Sequence, residues 1–184
     1  IEQLQDLIAV IQTIHRRITT AETRAGMEET LVSALAATDL VEFAWIGHPA
    51  TTDSQLTPRQ WAGREAGFLD AVDLDTDSDP VPAQTVARTR DSLLISNIAE
   101  RAPEHGWAME AIAAQFGSVA SVPIEYDDVL YGVLSVYAGE AGAFDETAEL
   151  LISDVGALLG AYVGIQNQQY DDTPSAGMEL EFSI

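Results

Sequence analysis

Residues 118–138 constrain the fold more than any other part of the chain. Two runs rich in β-branched and aromatic residues, 118–126 and 129–138, are separated only by Asp127 and Asp128. Strand-like runs joined by two such residues form a tight antiparallel hairpin. Successive strand residues face opposite sides of a sheet, so Ala120, Val122 and Ile124 share one side, as do Leu130, Leu134 and Val136. Those sets are wholly apolar. The opposite sets, Ser121 with Glu125 and Tyr131, and Ser135 with Tyr137, mix hydroxyls with aromatic rings. The pattern predicts a sheet with one face under helices and the other lining a cavity.

Helix and strand signals surround the hairpin. Leu4, Leu7, Ile11, Ile14 and Ile18 recur at intervals of three and four, which predicts a helix of about 19 residues with one apolar seam. Ile8 and His15 widen that seam, so it suits either a second copy of the chain or the chain's own domain. A second helix is expected over 27–37, with Leu31, Val32 and Leu35 buried, and strands over 41–47 and, around Trp61, over 59–66. An acidic loop over 70–80 precedes a short helix over 81–89 and a short strand over 92–96. Pro103 stands near the start of a helix expected to end about Phe116, with Gly117 as its left-handed stop.

Asp145 is expected to cap the last helix, where Glu146 and Glu149 suit the positive end of the helix dipole. Leu151, Val155, Leu158, Tyr162 and Ile165 give it a seam like the first, and the matched pair predicts a homodimer through the terminal helices. Residues 171–177 (Asp-Asp-Thr-Pro-Ser-Ala-Gly) read as a linker, and the alternating run 178–184 as the strand-like opening of another domain. The predicted organisation is a signalling helix over 1–19, a main domain over 20–168, and over 169–184 a linker with the start of a further domain. The chain begins without methionine and is expected to be a piece of a longer protein.

Thirty acidic residues stand against eight basic ones, all arginine, for a formal charge of −22. Such a surface repels itself, yet 47% hydrophobic residues are too many for a disordered acidic chain. Molar salt reconciles the two, because the screening length there falls to about 3 Å. The acids run through nearly every segment rather than one block, which points to a salt-loving organism rather than to an acidic docking face. Only Arg16 and Arg17 are adjacent, so no basic patch for nucleic acid is expected. The absence of cysteine removes disulfides, thiolate nucleophiles and cysteine zinc sites. No 18-residue apolar run and no signal-peptide pattern are apparent, so no membrane contact and a cytoplasmic location are expected.

Residues 95–101 (Ile-Ser-Asn-Ile-Ala-Glu-Arg), Trp107, 118–124 (Ser-Val-Ala-Ser-Val-Pro-Ile), 131–137 (Tyr-Gly-Val-Leu-Ser-Val-Tyr) and 143–145 (Ala-Phe-Asp) form an ordered series. The series resembles the second half of a GAF domain, of the kind found in haloarchaeal bacterio-opsin-activator-type transcriptional regulators. The resemblance covers roughly 20–168 and implies an α/β (α+β) fold. It also implies a central antiparallel sheet of five or six strands, long terminal helices on one face and a small-molecule pocket on the other. It further implies a sensory role upstream of a helix-turn-helix domain, so that DNA is met only through a domain absent from this chain. Where the family shows a Gly-aromatic-basic-Ser run, this chain has Gln115, Phe116, Gly117 and Ser118, so an anionic ligand is not expected there. Without cysteine, neither a cysteine-attached bilin nor the cysteine chemistry of GAF-fold methionine sulfoxide reductases is possible, and the cyclic-nucleotide motif is not recognisable.

The pocket residues expected on this basis are Trp45, Trp61, His105, Trp107, Phe116, Ser121, Ser135 and Tyr137. Together they would make a mostly apolar cleft with a few polar groups, although rings at such positions also serve as plain core. Asp73, Asp75 and Asp77 match the first ligand positions of a calcium loop. Ser78 and Gln84 stand where glycine and a bidentate glutamate belong, so a solvated acidic loop is expected instead. The histidines, His15, His48 and His105, have no partner at metal-ligand spacing. No nucleophile elbow, phosphate loop or H-E-x-x-H motif occurs, so a non-catalytic domain without metal is expected. The function expected is a sensor whose flanking helices repack on ligand binding or on a signal from a preceding domain, the alternative being a ligandless dimerisation and relay spacer.

Overall fold

The computed structural model describes the backbone of residues 2–21, 23–49, 55–75 and 79–183, and the side chains of 5–21, 23–49, 55–75 and 79–166. A five-stranded antiparallel sheet lies at the centre, built from β1 (Phe43–Pro49), β2 (Leu56–Gly63), β3 (Leu93–Ile95), β4 (Ser118–Tyr126) and β5 (Val129–Ala138). Its order is β2-β1-β5-β4-β3. The β4–β5 hairpin has the expected limits, and Asp127 and Asp128 both lie in the left-handed region, with φ of 53° and 64°. Two such residues twist a turn in the sense that the strands require, and aspartate tolerates the conformation better than most.

Three helices cover one face: α1 (Glu2–Ile18), α2 (Arg24–Ala36) and α6 (Glu146–Ser183). Thr23 starts α2 by accepting a hydrogen bond from the Gly26 amide at 3.0 Å. The α2 and α6 helices lie on the sheet, and α1 lies across both. The expected apolar set of the hairpin, Ala120, Val122, Ile124, Leu134 and Val136, is buried beneath them. On α6, Gly156, Gly160 and Gly164 form a stripe against β4. A Cβ on Gly156 would lie 2.8 Å from the Pro123 carbonyl oxygen, and those on Gly160 and Gly164 would collide with Glu125 and Tyr126. The helix therefore sits closer to the hairpin than any side chain would permit. By length and composition Glu146–Gln166 could cross a membrane, where the sequence suggested no such run, but it packs on β4 and β5.

Beside this core, Glu28 of α2 is 1% exposed. Arg59 Nε on β2 donates to its two oxygens at 3.0 and 3.2 Å, and Arg24 Nε approaches at 3.3 Å. The Arg24 guanidinium also donates to the Tyr131 carbonyl and lies 5.8 Å from the centre of the Tyr131 ring. The buried carboxylate is thus doubly paired, and the pairing ties α2 to β2 and β5.

On the opposite face lie α3 (Phe68–Ala71), α4 (Pro82–Thr89), a 3₁₀ turn at Ile98–Arg101 and α5 (Gly106–Ala113). Several expectations are corrected here and at the hairpin. The helix expected from Pro103 to Phe116 is only Gly106–Ala113, and its left-handed stop is Gln115 (φ 66°), not Gly117. Gly117 serves close packing instead, since a Cβ there would lie 2.5 Å from the Ala141 amide. Leu130 packs on this second face and Tyr131 on the helix face, the reverse of strict alternation. The register shift between Ile124 and Glu125 explains the exchange, because one extra residue moves every following side chain to the other side. The second strand, expected over 59–66, runs Leu56–Gly63 and pairs from Pro49 onward.

The run 178–184, expected to be strand-like after a linker, is helical to Ser183 as part of α6. A helix satisfies its backbone hydrogen bonds within the segment, whereas a strand there would need a partner edge. Ile184 lies outside the described residues.

Candidate functional site

The face under α3, α4 and α5 encloses a second core of different chemistry. Phe43, Trp45 and Tyr137 come from the sheet, Phe68 from α3, Val86 from α4, Trp107 and Ala108 from α5, and Phe116 from the segment after it. The rings of Phe43 and Phe116 stack at 5.7 Å and 7°. Tyr137 meets Phe116 at 4.9 Å and Phe68, edge-on, at 5.3 Å. Gly47 makes room for the indole of Trp45, since a Cβ there would lie 2.8 Å from Trp45 Cζ3.

Two polar atoms in this interior have no hydrogen-bond partner among the described residues, Trp45 Nε1 and the Tyr137 hydroxyl. Both side chains are 0% exposed. Burial pushes the Tyr137 hydroxyl well above the ordinary tyrosine range, and the nearby Trp45 indole, which makes no well-formed hydrogen bond with it, opposes that only in part. The other hydroxyls on this face satisfy each other, Ser121 Oγ lying 2.6 Å from Ser135 Oγ.

Four of the residues singled out from sequence fall in one row across the sheet. Trp61 pairs with Trp45, Trp45 with Ser135 and Ser135 with Ser121, and Leu93 of β3 completes the row. Tyr137 stands in the next row, opposite Phe43. Trp45, Phe116, Ser121, Ser135 and Tyr137 are fully buried, so the cavity expected around them is filled by the protein's own side chains. Trp61, 52% exposed, borders a surface cleft of about 440 Å³ with Leu56, Pro58, Leu69, Val72 and Leu74.

A smaller cleft of about 210 Å³ lies on the other side of residues 71–73, between Asp79 and the start of α5, and Trp107 borders it. There Asp79 clasps α5: Oδ1 meets His105 Nδ1 at 2.9 Å, and Oδ2 accepts from the Trp107 amide at 3.2 Å. Burial pushes the Asp79 carboxyl up, but hydrogen bonds from His105 and the Trp107 and Gly106 amides, with the imidazole charge, together hold it below its ordinary value. Leu56 and Leu74 belong both to the larger cleft and to the aromatic interior. Phe43, Phe68 and Asp79 were not foreseen. Alternation from Trp45 signals Phe43, whereas nothing in the sequence links Asp79 to His105, 26 residues away.

The expected dimer seam is largely occupied within the chain. Leu7, Ile11, Ile14, Ile18 and Val155 are buried in the helix-face core, Leu151, Leu158 and Tyr162 pack partly against it, and Ile165 is exposed. The side chain of Leu4 lies outside the described residues. The seam residues face inward because α1 crosses α2 and α6, which their shared spacing alone does not reveal. The outer side of α1 instead borders a groove of about 560 Å³ with α6, lined by Ile8, Ile11, Gln12, His15, Arg16 and Leu151.

No group of three or more metal-binding side chains occurs among the described residues. In the acidic loop Asp73 Oδ1 accepts from the Asp75 amide at 2.9 Å, and Gln84 Oε1 from the Val81 amide at 2.8 Å, so both make local turn contacts. Asp77 and Ser78 lie outside the described residues. His48 Nδ1 lies 3.2 Å from the Tyr131 carbonyl, beside Arg24.

A family model described as GAF domain matches residues 21–163. No curated protein matches the chain in sequence. Among solved structures, the free methionine-R-sulfoxide reductase of Neisseria meningitidis, in complex with its substrate, superposes with a TM-score of 0.73 at 15% identity, covering 89% of this chain and 91% of that one. The GAF domain of an Acinetobacter phosphoenolpyruvate-protein phosphotransferase gives 0.66 at 15% identity, over 90% and 97% of the two chains. The nlh2 GAF domain of A. Aeolicus, in an inactive state, gives 0.66 at 17% identity, over 89% and 99%. At these identities the structures share the fold.

Proposed function

This chain belongs to the GAF domain family, whose members are generally sensory or regulatory, and on that premise we propose that it is the non-catalytic sensor of a cytoplasmic regulator. The observation that carries the proposal is the aromatic interior between the sheet and α3, α4 and α5, where Trp45 Nε1 and the Tyr137 hydroxyl are buried without partners among the described residues. A core needed only for stability gains by replacing such groups with apolar ones, because each costs about 1–3 kcal/mol unpaired. A small molecule that supplies the missing partners would make them useful. The filled interior means that binding must displace rings, which is what a switch between two states requires.

The regulator is proposed to be haloarchaeal, of the bacterio-opsin-activator type, with DNA contacted by a separate helix-turn-helix domain. The formal charge of −22 without lysine, and the lack of a basic patch, support that assignment. The non-catalytic character rests on the missing cysteine and catalytic motifs. A second copy is proposed to dock along the α1–α6 groove, where Ile8 is exposed beside Leu151, rather than on the inward seam. A second reading, a ligandless relay spacer, is favoured by the same filled interior.

Native mass spectrometry of the protein taken from its host, after gentle exchange from high salt, separates the two. A retained small molecule supports the sensor; a dimer that is consistently empty supports the spacer. Sedimentation at molar salt tests the dimer, which a strict monomer would exclude.

A further inference from the structure

Resting on the sensor reading above, we propose that the interior takes an uncharged, flat molecule whose hydrogen-bond acceptor meets the Trp45 indole N–H and whose second polar group lies within reach of the Tyr137 hydroxyl.

Three observations lead there. The first is the kind of polar atom available. The indole N–H can only donate, while the tyrosine hydroxyl can donate or accept. A ligand that satisfies both therefore carries at least one acceptor, such as a carbonyl or ring nitrogen.

The second is charge. Among the described residues the sole fully buried charged side chain is Glu28, which lies on the opposite face, so no buried charge stands in this interior. At its rim Arg64 is engaged: it donates to the Ala114 carbonyl, approaches Glu42 at 3.4 Å and stands 5.3 Å from the centre of the Phe116 ring. Asp79 is held by His105 and the start of α5. The carboxylates of the larger cleft, Glu65, Asp70, Asp73 and Asp75, are half-buried or exposed, so a charged ligand in the interior would lie without a buried counter-ion, at a cost far above that of burying a neutral amide.

The third is shape. Phe43 and Phe116 stack nearly parallel, and Tyr137 tilts against both at 29° and 35°. Ring faces offset in this way favour a flat partner. The larger cleft reaches the same interior at Leu56 and Leu74, so displacing these two side chains opens a way in.

Three isosteric planar probes test the class: benzamide (neutral), benzoate (anionic) and benzamidine (cationic). Each is titrated into the nitrogen-15-labelled chain at molar salt while the three tryptophan indole N–H resonances are followed, the Trp61 and Trp107 signals being assigned with Trp61→Phe and Trp107→Phe. Benzamide is expected to move the Trp45 resonance downfield in a saturable way and to bind about tenfold or more tightly than either ion. Tyr137→Phe, which keeps the ring, is expected to weaken benzamide about threefold to fivefold.

Equal binding of benzoate or benzamidine at Trp45 overturns the uncharged class but leaves the interior as the site. Shifts confined to Trp61 or Trp107 overturn both the class and the interior site. If no probe moves any indole at millimolar concentration, the class fails, while a mass retained in the native spectrum would still uphold the sensor.

Discussion

The two faces of the sheet are built to different standards. Under α1, α2 and α6 the core is mostly aliphatic, and Glu28, the one buried charge among the described residues, is paired with two arginines. Under α3, α4 and α5 the core is largely aromatic, and two buried polar atoms find no partner among the described residues. The first face is what a sheet needs in order to fold. The second is tolerated in spite of its cost, and tolerated cost is a mark of function.

Substitutions on each face test this contrast. The largest effect is expected at Glu28: Glu28→Ala removes the hydrogen bonds to Arg59 and Arg24 and leaves a buried hole, and should lower unfolding stability by about 2–3 kcal/mol, measured by chemical denaturation at fixed salt. A loss below about 1 kcal/mol would mean that the pairing is as weak as a surface ion pair. Next comes Gly160→Ala, whose Cβ collides with Glu125 and should cost about 2 kcal/mol by forcing α6 away from β4.

On the other face the sign reverses. Tyr137→Phe removes an unpaired hydroxyl and should leave stability unchanged or raise it by about 1 kcal/mol. A loss of 2 kcal/mol would show that the hydroxyl has a partner and would erase the contrast. Burial raises the Tyr137 pKa, so the native state favours the neutral phenol. Stability from this preference is complete below the unfolded tyrosine value of 10.0 and is lost as pH rises towards the folded value. Alkaline absorbance titration should show one tyrosine ionising late, as the fold opens, and Tyr137→Phe should remove that phase.

The smallest effect is at the rim. Asp79→Ala should cost roughly 0.5 kcal/mol at neutral pH through the lost contacts at the start of α5, which solvent screens because the carboxylate is 37% exposed. Because the folded Asp79 carboxyl lies below its ordinary value of 3.8, its contribution is complete above that value and lost as pH falls through the folded one. Wild type and variant should therefore converge in strong acid, and a difference that persists there would assign the effect to packing.

Much of the fold could be read from local patterns. The hairpin limits, the Asp127–Asp128 turn and the inward faces of β4 and β5 follow from period-two alternation and turn chemistry. The exchange of Leu130 and Tyr131 did not, because a register shift is decided by both strands of a pair and leaves no mark on one. Ser121 and Ser135 are placed on one face by the same alternation, but whether that face holds a cavity or a filled core depends on Phe68 and Val86, which arrive from α3 and α4. The terminal seams show the limit most plainly: a 3-4 spacing reports that a helix has an apolar side, and only the crossing of α1 over α2 and α6 decides what covers it.

The glycine stripe of α6 has a mechanical consequence. Clamped to β4 at Gly156, Gly160 and Gly164, the helix continues to Ser183, so it is a lever whose fulcrum is the hairpin. At 1.5 Å per residue the arm beyond Gly164 is about 28 Å long, so a tilt of only about 5° at the clamp sweeps its tip by about 2.5 Å.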